Sequence, residues 1–206
     1  MFCLETYFSC YLYLEVYKLY YMFKGLKNIF FPKRKRKYKC PECGQYHQDW
    51  PALYYDAPIN YSQLPVEDKE RIASLDRDFC VIEYPDQTDR FIRVVLIQRV
   101  YDGCEDLHYG LWVSLSEKSF LDYKSHFDSN DYEAVYFGWI SNILEGYDDT
   151  LSVPVDVVYN GGSNRPEIIP HKSYSHPFVE DYYNGIAKKE AQKRVNNILQ
   201  RFNDNI

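Results

Sequence analysis

From Leu53 onward, apolar residues gather in short runs separated by polar or glycine-bearing breaks. Runs at 79–84, 90–100, 108–115, 134–140 and 153–159 are rich in Val, Ile, Tyr, Phe and Trp. Such residues fit a pleated, half-buried surface, so each run is read as a β-strand. Tyr101-Asp102-Gly103 and Asn160-Gly161-Gly162 supply residues that accept positive φ, and each is read as a turn between strands. Three segments read as helices. Residues 65–75 begin with Pro65 and carry acidic residues in the first turn. Residues 116–127 open on Ser116 as N-cap, and 186–202 places Ile186, Val195, Ile198, Leu199 and Phe202 against a basic outer face. No internal repeat or low-complexity segment interrupts this pattern. The expected fold class is α+β: an antiparallel β-sheet with flanking helices, an N-terminal zinc-knuckle-like turn and a C-terminal helix.

The chain's 206 residues suit one domain with an appendage. The expected division is a 1–37 extension and a single α+β domain over 38–206. With 46% hydrophobic and 26% charged residues, the composition excludes wholesale disorder and a polytopic membrane protein. The 22 tyrosines are unusual, but a large ring with a polar tip serves many surfaces and selects no function.

Charge is divided unevenly. Residues 1–39 hold nine basic and two acidic side chains, while the remainder holds 15 against 28 and stands at −13. Phosphate contacts need concentrated Lys and Arg, so nucleic acid is not the expected partner of this body. A basic protein partner is. The extension runs as an aromatic and aliphatic stretch into Lys33-Arg34-Lys35-Arg36-Lys37. Glu15 and Lys18 interrupt it near its middle, which argues against a membrane span. No basic n-region precedes the apolar run and no small-residue cleavage site comes after it, so a signal peptide is not expected either. The remaining alternatives are an interfacial helix held near anionic lipid, a helix packed on the domain, or initiation at Met22 rather than Met1.

The strongest chemical signal is Cys40-Pro41-Glu42-Cys43-Gly44 followed by His47. Two thiolates in a C-x2-C turn can face one tetrahedral cation, and His47 offers an imidazole nitrogen from the same loop. Zinc is the default ion. A fourth ligand must come from elsewhere: Cys80 is the first candidate, then His171 or His176. The competing reading is a pair of reduced thiols in a turn, with Cys80 a small buried hydrophobe. A metal held by protein ligands alone would be structural; catalysis would need an open position. Cys3, Cys10 and Cys104 show no framework spacing, which points to a reducing cytoplasm. No phosphate loop, nucleophile elbow or H-E-x-x-H motif is present. Asp148-Asp149 could bind a cation or act as a base, but such pairs are more often turn residues. His176, before Pro177, reads as a helix cap ahead of a ligand or base. Trp112 and Trp139 are read as core.

The knuckle with His47, then Arg77-Asp78-Phe79-Cys80-Val81-Ile82, Phe91-Ile92-Arg93, the block 109–117 reading YGLWVSLSE, Tyr136-Phe137-Gly138-Trp139, Tyr147-Asp148-Asp149-Thr150-Leu151, Arg165-Pro166 and His176-Pro177 with Gly185-Ile186 form an ordered series. The series resembles the bacterial domain-of-unknown-function 2199 family over about residues 38–190. The resemblance implies a bacterial, cytosolic domain in which the knuckle, Cys80 and the His-Pro pair recur; it implies no activity. It does not extend to residues 1–37. Three functions stand as expectations. The first is a non-catalytic protein-binding domain with a structural zinc knuckle, such as an immunity protein neutralising a basic toxin. The second is a metal-dependent enzyme using Cys40, Cys43 and His47 with Asp148, Asp149 or His176 as base. The third is a membrane-surface adaptor using residues 1–37.

Overall fold

The computed structural model describes residues 38–39, 46–47, 50–102, 105–162 and 164–204, with side chains for 50–102, 105–162, 164–198 and 200. The chain divides into two units, 1–36 and 37–206, and every described residue belongs to the second.

Among the described residues there are ten strands and five helices. The strands are β1 (Tyr38–Lys39), β2 (Tyr46–His47), β3 (Leu53–Tyr54), β4 (Ala73–Leu75), β5 (Phe79–Glu83), β6 (Thr88–Gln98), β7 (Leu107–Leu115), β8 (Ala134–Ile140), β9 (Pro154–Tyr159) and β10 (Glu167–Pro170). The helices are α1 (Ile59–Ser62), α2 (Val66–Ile72), α3 (Glu117–Ser125), α4 (Pro177–Asn184) and α5 (Lys188–Asp204). The fold is mixed α+β, as expected.

The expectation of one antiparallel sheet is corrected. Strands run in the order β3-β7-β8-β9-β10-β6-β5-β4, and β6 also pairs with β7, so β6 to β10 close into a five-stranded barrel. A ring of five strands cannot alternate direction all the way round, so at least one neighbouring pair must be parallel. Here it is β10 with β6, joined at Glu167↔Val95. The short β3 also runs parallel to β7. Closure depends on the length of β6. Its first residues pair with β5 as far as Phe79↔Ile92, and the same edge then passes to β10 at Val95.

The two faces of the β6–β7 ribbon bury different clusters. Ile92, Val94 and Leu96 lie opposite Val113, Leu111 and Tyr109 and enter the main core. That core also holds Tyr136 and Ile140 of β8, Val155, Val157 and Tyr159 of β9, and Ile168 of β10. Phe120 and Tyr123 of α3, Phe178 and Val179 of α4, and Ala191, Val195 and Ile198 of α5 join it. The opposite face carries Cys80, Ile82, Phe91 and Trp112, packed by Tyr55, Tyr61, Leu64 and Ile72. Full burial of a side chain such as Trp112 contributes roughly 1.5–3 kcal/mol.

Local signals explain most boundaries. Ser116 caps α3 by accepting from the Ser119 N–H at 3.2 Å. Pro65 precedes α2, whose first turn holds Glu67 and Asp68, but the helix stops at Ile72 rather than 75. Residues Ala73–Leu75 instead pair with β5, where Ala73 and Leu75 meet Ile82 and Cys80. Strand pairing outcompetes three further residues of an exposed helix. At the turn before β10, Gly161 and Gly162 both take φ of +74°.

Candidate functional site

Cys40 and Cys43 lie outside the described residues. The flanking backbone pairs antiparallel, Tyr38 opposite His47 and Lys39 opposite Tyr46, so the segment bearing both cysteines joins two hydrogen-bonded strands. Cys80 sits on β5 opposite Phe91, fully buried beside Ile82 and Trp112. Burial first, then the charges of Asp76 and Asp89, pushes its thiol up to about 12. In those surroundings the sulfur is held as a neutral thiol. Among the described residues no three His, Cys, Asp or Glu side chains converge as a metal-binding group.

The remaining candidate ligands have other work. His171 Nε2 stands 3.0 Å from Asp156 Oδ1, and its ring meets Phe137 at 5.4 Å. His176 caps α4: its Nδ1 accepts from the Phe178 N–H at 3.0 Å, while Nε2 faces the Asp149 carbonyl. An imidazole accepting at Nδ1 is the tautomer that donates at Nε2, so both nitrogens are committed to backbone. The helix-cap reading of His176 is therefore the one observed. Asp149 likewise closes a turn, its Oδ1 accepting from the Leu151 N–H at 2.9 Å.

A cavity of about 320 Å3 opens here, lined by Gly146, Tyr147, Asp148, Asp149, Leu151, Tyr174, His176 and Pro177. One of its lining residues, Tyr147, is tied to a buried cation. Arg194 of α5, only 3% exposed, lies with its guanidinium 4.5 Å from the Tyr147 ring centre. It donates to the Tyr147 hydroxyl at 3.0 Å and to Glu190 Oε1 at 3.0 Å, and reaches Tyr109 at 3.4 Å and Asp181 at 3.5 Å. Tyr147 in turn donates to Asp181 at 2.8 Å. The expected basic outer face of the C-terminal helix is corrected at Arg194, which points inward. It stands three residues after Ala191 and four before Ile198, both buried, and that helical spacing is the signal for its place. The cation is tolerated inside because carboxylate and phenol oxygens surround it.

Three motif segments meet at Asp78, where β6 exchanges partners. Arg165 Nε donates to Asp78 Oδ1 at 2.6 Å, and the Arg93 N–H donates to the Asp78 carbonyl at 2.9 Å. Arg93 also reaches the Tyr55 carbonyl at 2.6 Å, with its guanidinium 5.0 Å from the centre of the Trp112 ring. Burial, then the nearby Arg165 charge, lowers the Arg93 pKa. This junction ties together the segments leading into β5 and β10, β6 and the segment at Tyr55.

Trp112 is core, with no exposed surface, but Trp139 is not: 42% of it meets solvent. On β8 the side chains alternate, with Tyr136, Gly138 and Ile140 inward and Val135, Phe137 and Trp139 outward. Gly138 fits closely on the inner side, where a Cβ would stand 3.1 Å from the Ser114 carbonyl and 3.3 Å from Val157 and would make those neighbours give way. Trp139 is therefore turned out by strand parity, whatever its hydrophobicity. Phe137 and Trp139 pack edge to face, 4.9 Å apart at 89°.

Among the described residues no helix is long and apolar enough to cross a membrane. No curated protein and no solved structure matches the chain. Residues 39–186 match the model of a family described as an uncharacterized protein conserved in bacteria (DUF2199), and the chain belongs to that family.

Proposed function

We propose that the domain is a non-catalytic protein-binding module whose N-terminal knuckle holds a structural zinc ion. The observation that carries the binding reading is the outward row of Val135, Phe137 and Trp139, exposed by 52%, 47% and 42%. Single apolar residues on a surface need no explanation, but three on successive outward positions of one strand form a continuous apolar strip of the kind interfaces use. The commitment of His176 and Asp149 to capping and turn formation supports a binding role over an acid–base one. The charge of −13 beyond residue 39 favours a basic partner, and a secreted toxin neutralised by this chain fits that description.

Zinc would be held by Cys40, Cys43 and His47, with Cys80, His171 or His176 as fourth ligand. To serve, Cys80 would have to exchange its neutral thiol state for a thiolate, and His176 would have to give up one of its two backbone contacts. Two measurements test the proposal. Affinity capture on the immobilised full chain, from the bacterium that makes it, is expected to yield one protein in stoichiometric amount. Recovery of none, even at low salt, would refute the binding role. Metal analysis is expected to find one zinc per chain, lost in Cys40→Ser and Cys43→Ser. A chain with no stoichiometric metal, melting identically with and without chelator, would remove the knuckle from the proposal.

A further inference from the structure

We infer that the outer face of β8, with Asp156 of β9 beside it, receives a partner segment that presents lysine or arginine among apolar side chains. This rests on the protein-binding reading and gives it a location and a chemistry. The three strands read AVYFGWI, PVDVVY and EIIP, and contain no lysine or arginine. They do contain Asp156 and Glu167.

Register places these groups. Phe137 stands opposite Asp156, and Asp156 opposite Ile169. Val135 stands opposite Val158, which stands opposite Glu167; Trp139 stands opposite Pro154. Residues directly opposite in a ladder project on the same side, so both acids share the aromatic face. The Asp156 side chain is 43% exposed even with His171 against it.

Two rings set at right angles, next to a half-exposed carboxylate, offer π faces and a negative charge to the same ligand. A guanidinium or ammonium gains from both, while its aliphatic stem covers the apolar strip. A second copy of this chain fits less well. In a two-fold contact the same patch meets itself, which would set Asp156 and Glu167 against their own copies with no cation from these strands between them.

The test selects short random displayed peptides on the immobilised full chain, in parallel with a Phe137→Ser/Trp139→Ser variant and with Trp139→Arg. The expected result is enrichment on the natural chain of peptides with Lys or Arg beside aliphatic or aromatic residues. A synthetic peptide of that consensus should bind the double variant about tenfold or more weakly, since exposed aromatic anchors dominate such contacts. Its affinity should fall with salt, and Trp139→Arg should select against basic peptides altogether. Both variants change exposed positions, and each must melt like the natural chain to be counted. Basic peptides that bind all three proteins equally would overturn this location while leaving a protein-binding role in place. No enrichment on any of them would overturn the location and the role together. An acidic consensus, or self-association abolished by the double variant, would overturn the assigned chemistry.

Discussion

Replacing Arg194 with methionine preserves length and apolar stem but deletes the buried cation packed on the Tyr147 ring. The loss can be worked from its surroundings. The Tyr109 hydroxyl, on a residue only 1% exposed, loses the guanidinium donor 3.4 Å away, and a buried hydroxyl without a partner costs about 1–3 kcal/mol. The guanidinium over the Tyr147 ring, at 4.5 Å, accounts for about 0.5–2 kcal/mol. Asp181 and Glu190 are 40% and 35% exposed, so water screens them and their ion pairs add little. Methionine recovers part of the total by burying an apolar terminus where a charge stood. The net expectation is about 3 kcal/mol of destabilisation, which for a chain of this size lowers the melting temperature by roughly 6–12 °C. Urea unfolding of Arg194→Met, Tyr147→Phe and the double variant measures both the loss and the coupling between the two side chains. An Arg194→Met protein as stable as the natural one would mean that the cost of desolvating the cation cancels its bonds, and the reasoning would fail.

Glycine and cysteine positions give further expected outcomes. Gly161→Ala should destabilise by about 2–4 kcal/mol, because a Cβ at φ +74° would stand 2.8 Å from the Asn130 carbonyl and 3.0 Å from that of Ser129. Gly162→Ala, at the same φ but 3.6 Å from its nearest neighbour, should cost only about 1–2 kcal/mol; equal losses in chemical denaturation would refute the distinction. Cys80 has a thiol pKa raised on folding from an ordinary 9.0 to about 12, so the folded state holds its proton where the unfolded state releases it. Its contribution to stability is whole below pH 9 and is lost as pH climbs toward 12, and Cys80→Val should flatten that alkaline slope. Peptide mapping after iodoacetamide should find Cys80 alkylated only under unfolding conditions; labelling in the native protein would contradict its burial.

The strands that build most of the barrel are legible in the sequence because their side chains have to satisfy an apolar inner face over five residues or more. The short β3, β4 and β10 are not, since two to four residues carry too little pattern, and Ala73–Leu75 comes after a helix without a break. Ring closure is invisible for another reason: the Glu167↔Val95 pairing spans distant parts of the chain and has no local signature. Trp139 is misplaced when hydrophobicity is weighed without parity. Counting from Tyr136 and Ile140, both buried, puts it outside. Arg194 escapes notice when a charge is assumed to face water, although its spacing from Ala191 and Ile198 places it within the apolar stripe. The His176 cap is readable from the following proline alone, because that local geometry owes nothing to distant residues. Cys40 and Cys43 lie outside the described residues, where the sequence signal still stands by itself.

The seam between β10 and β6 gives the barrel a preferred place to open. Every other junction of the ring is sewn by three or more residue pairs, whereas this one is held by a single parallel pair and by the Val95 N–H donating to the Pro166 carbonyl at 2.8 Å. Asp78 and Arg165 clasp the chain beside it, 2.6 Å apart. Breathing motions should therefore begin as a parting of this zip, with amide protons at Val95 exchanging ahead of those deep in the β6–β7 ladder. The cylinder behaves mechanically as a strip of five staves closed by one short backbone seam and clasped beside it by an ion pair.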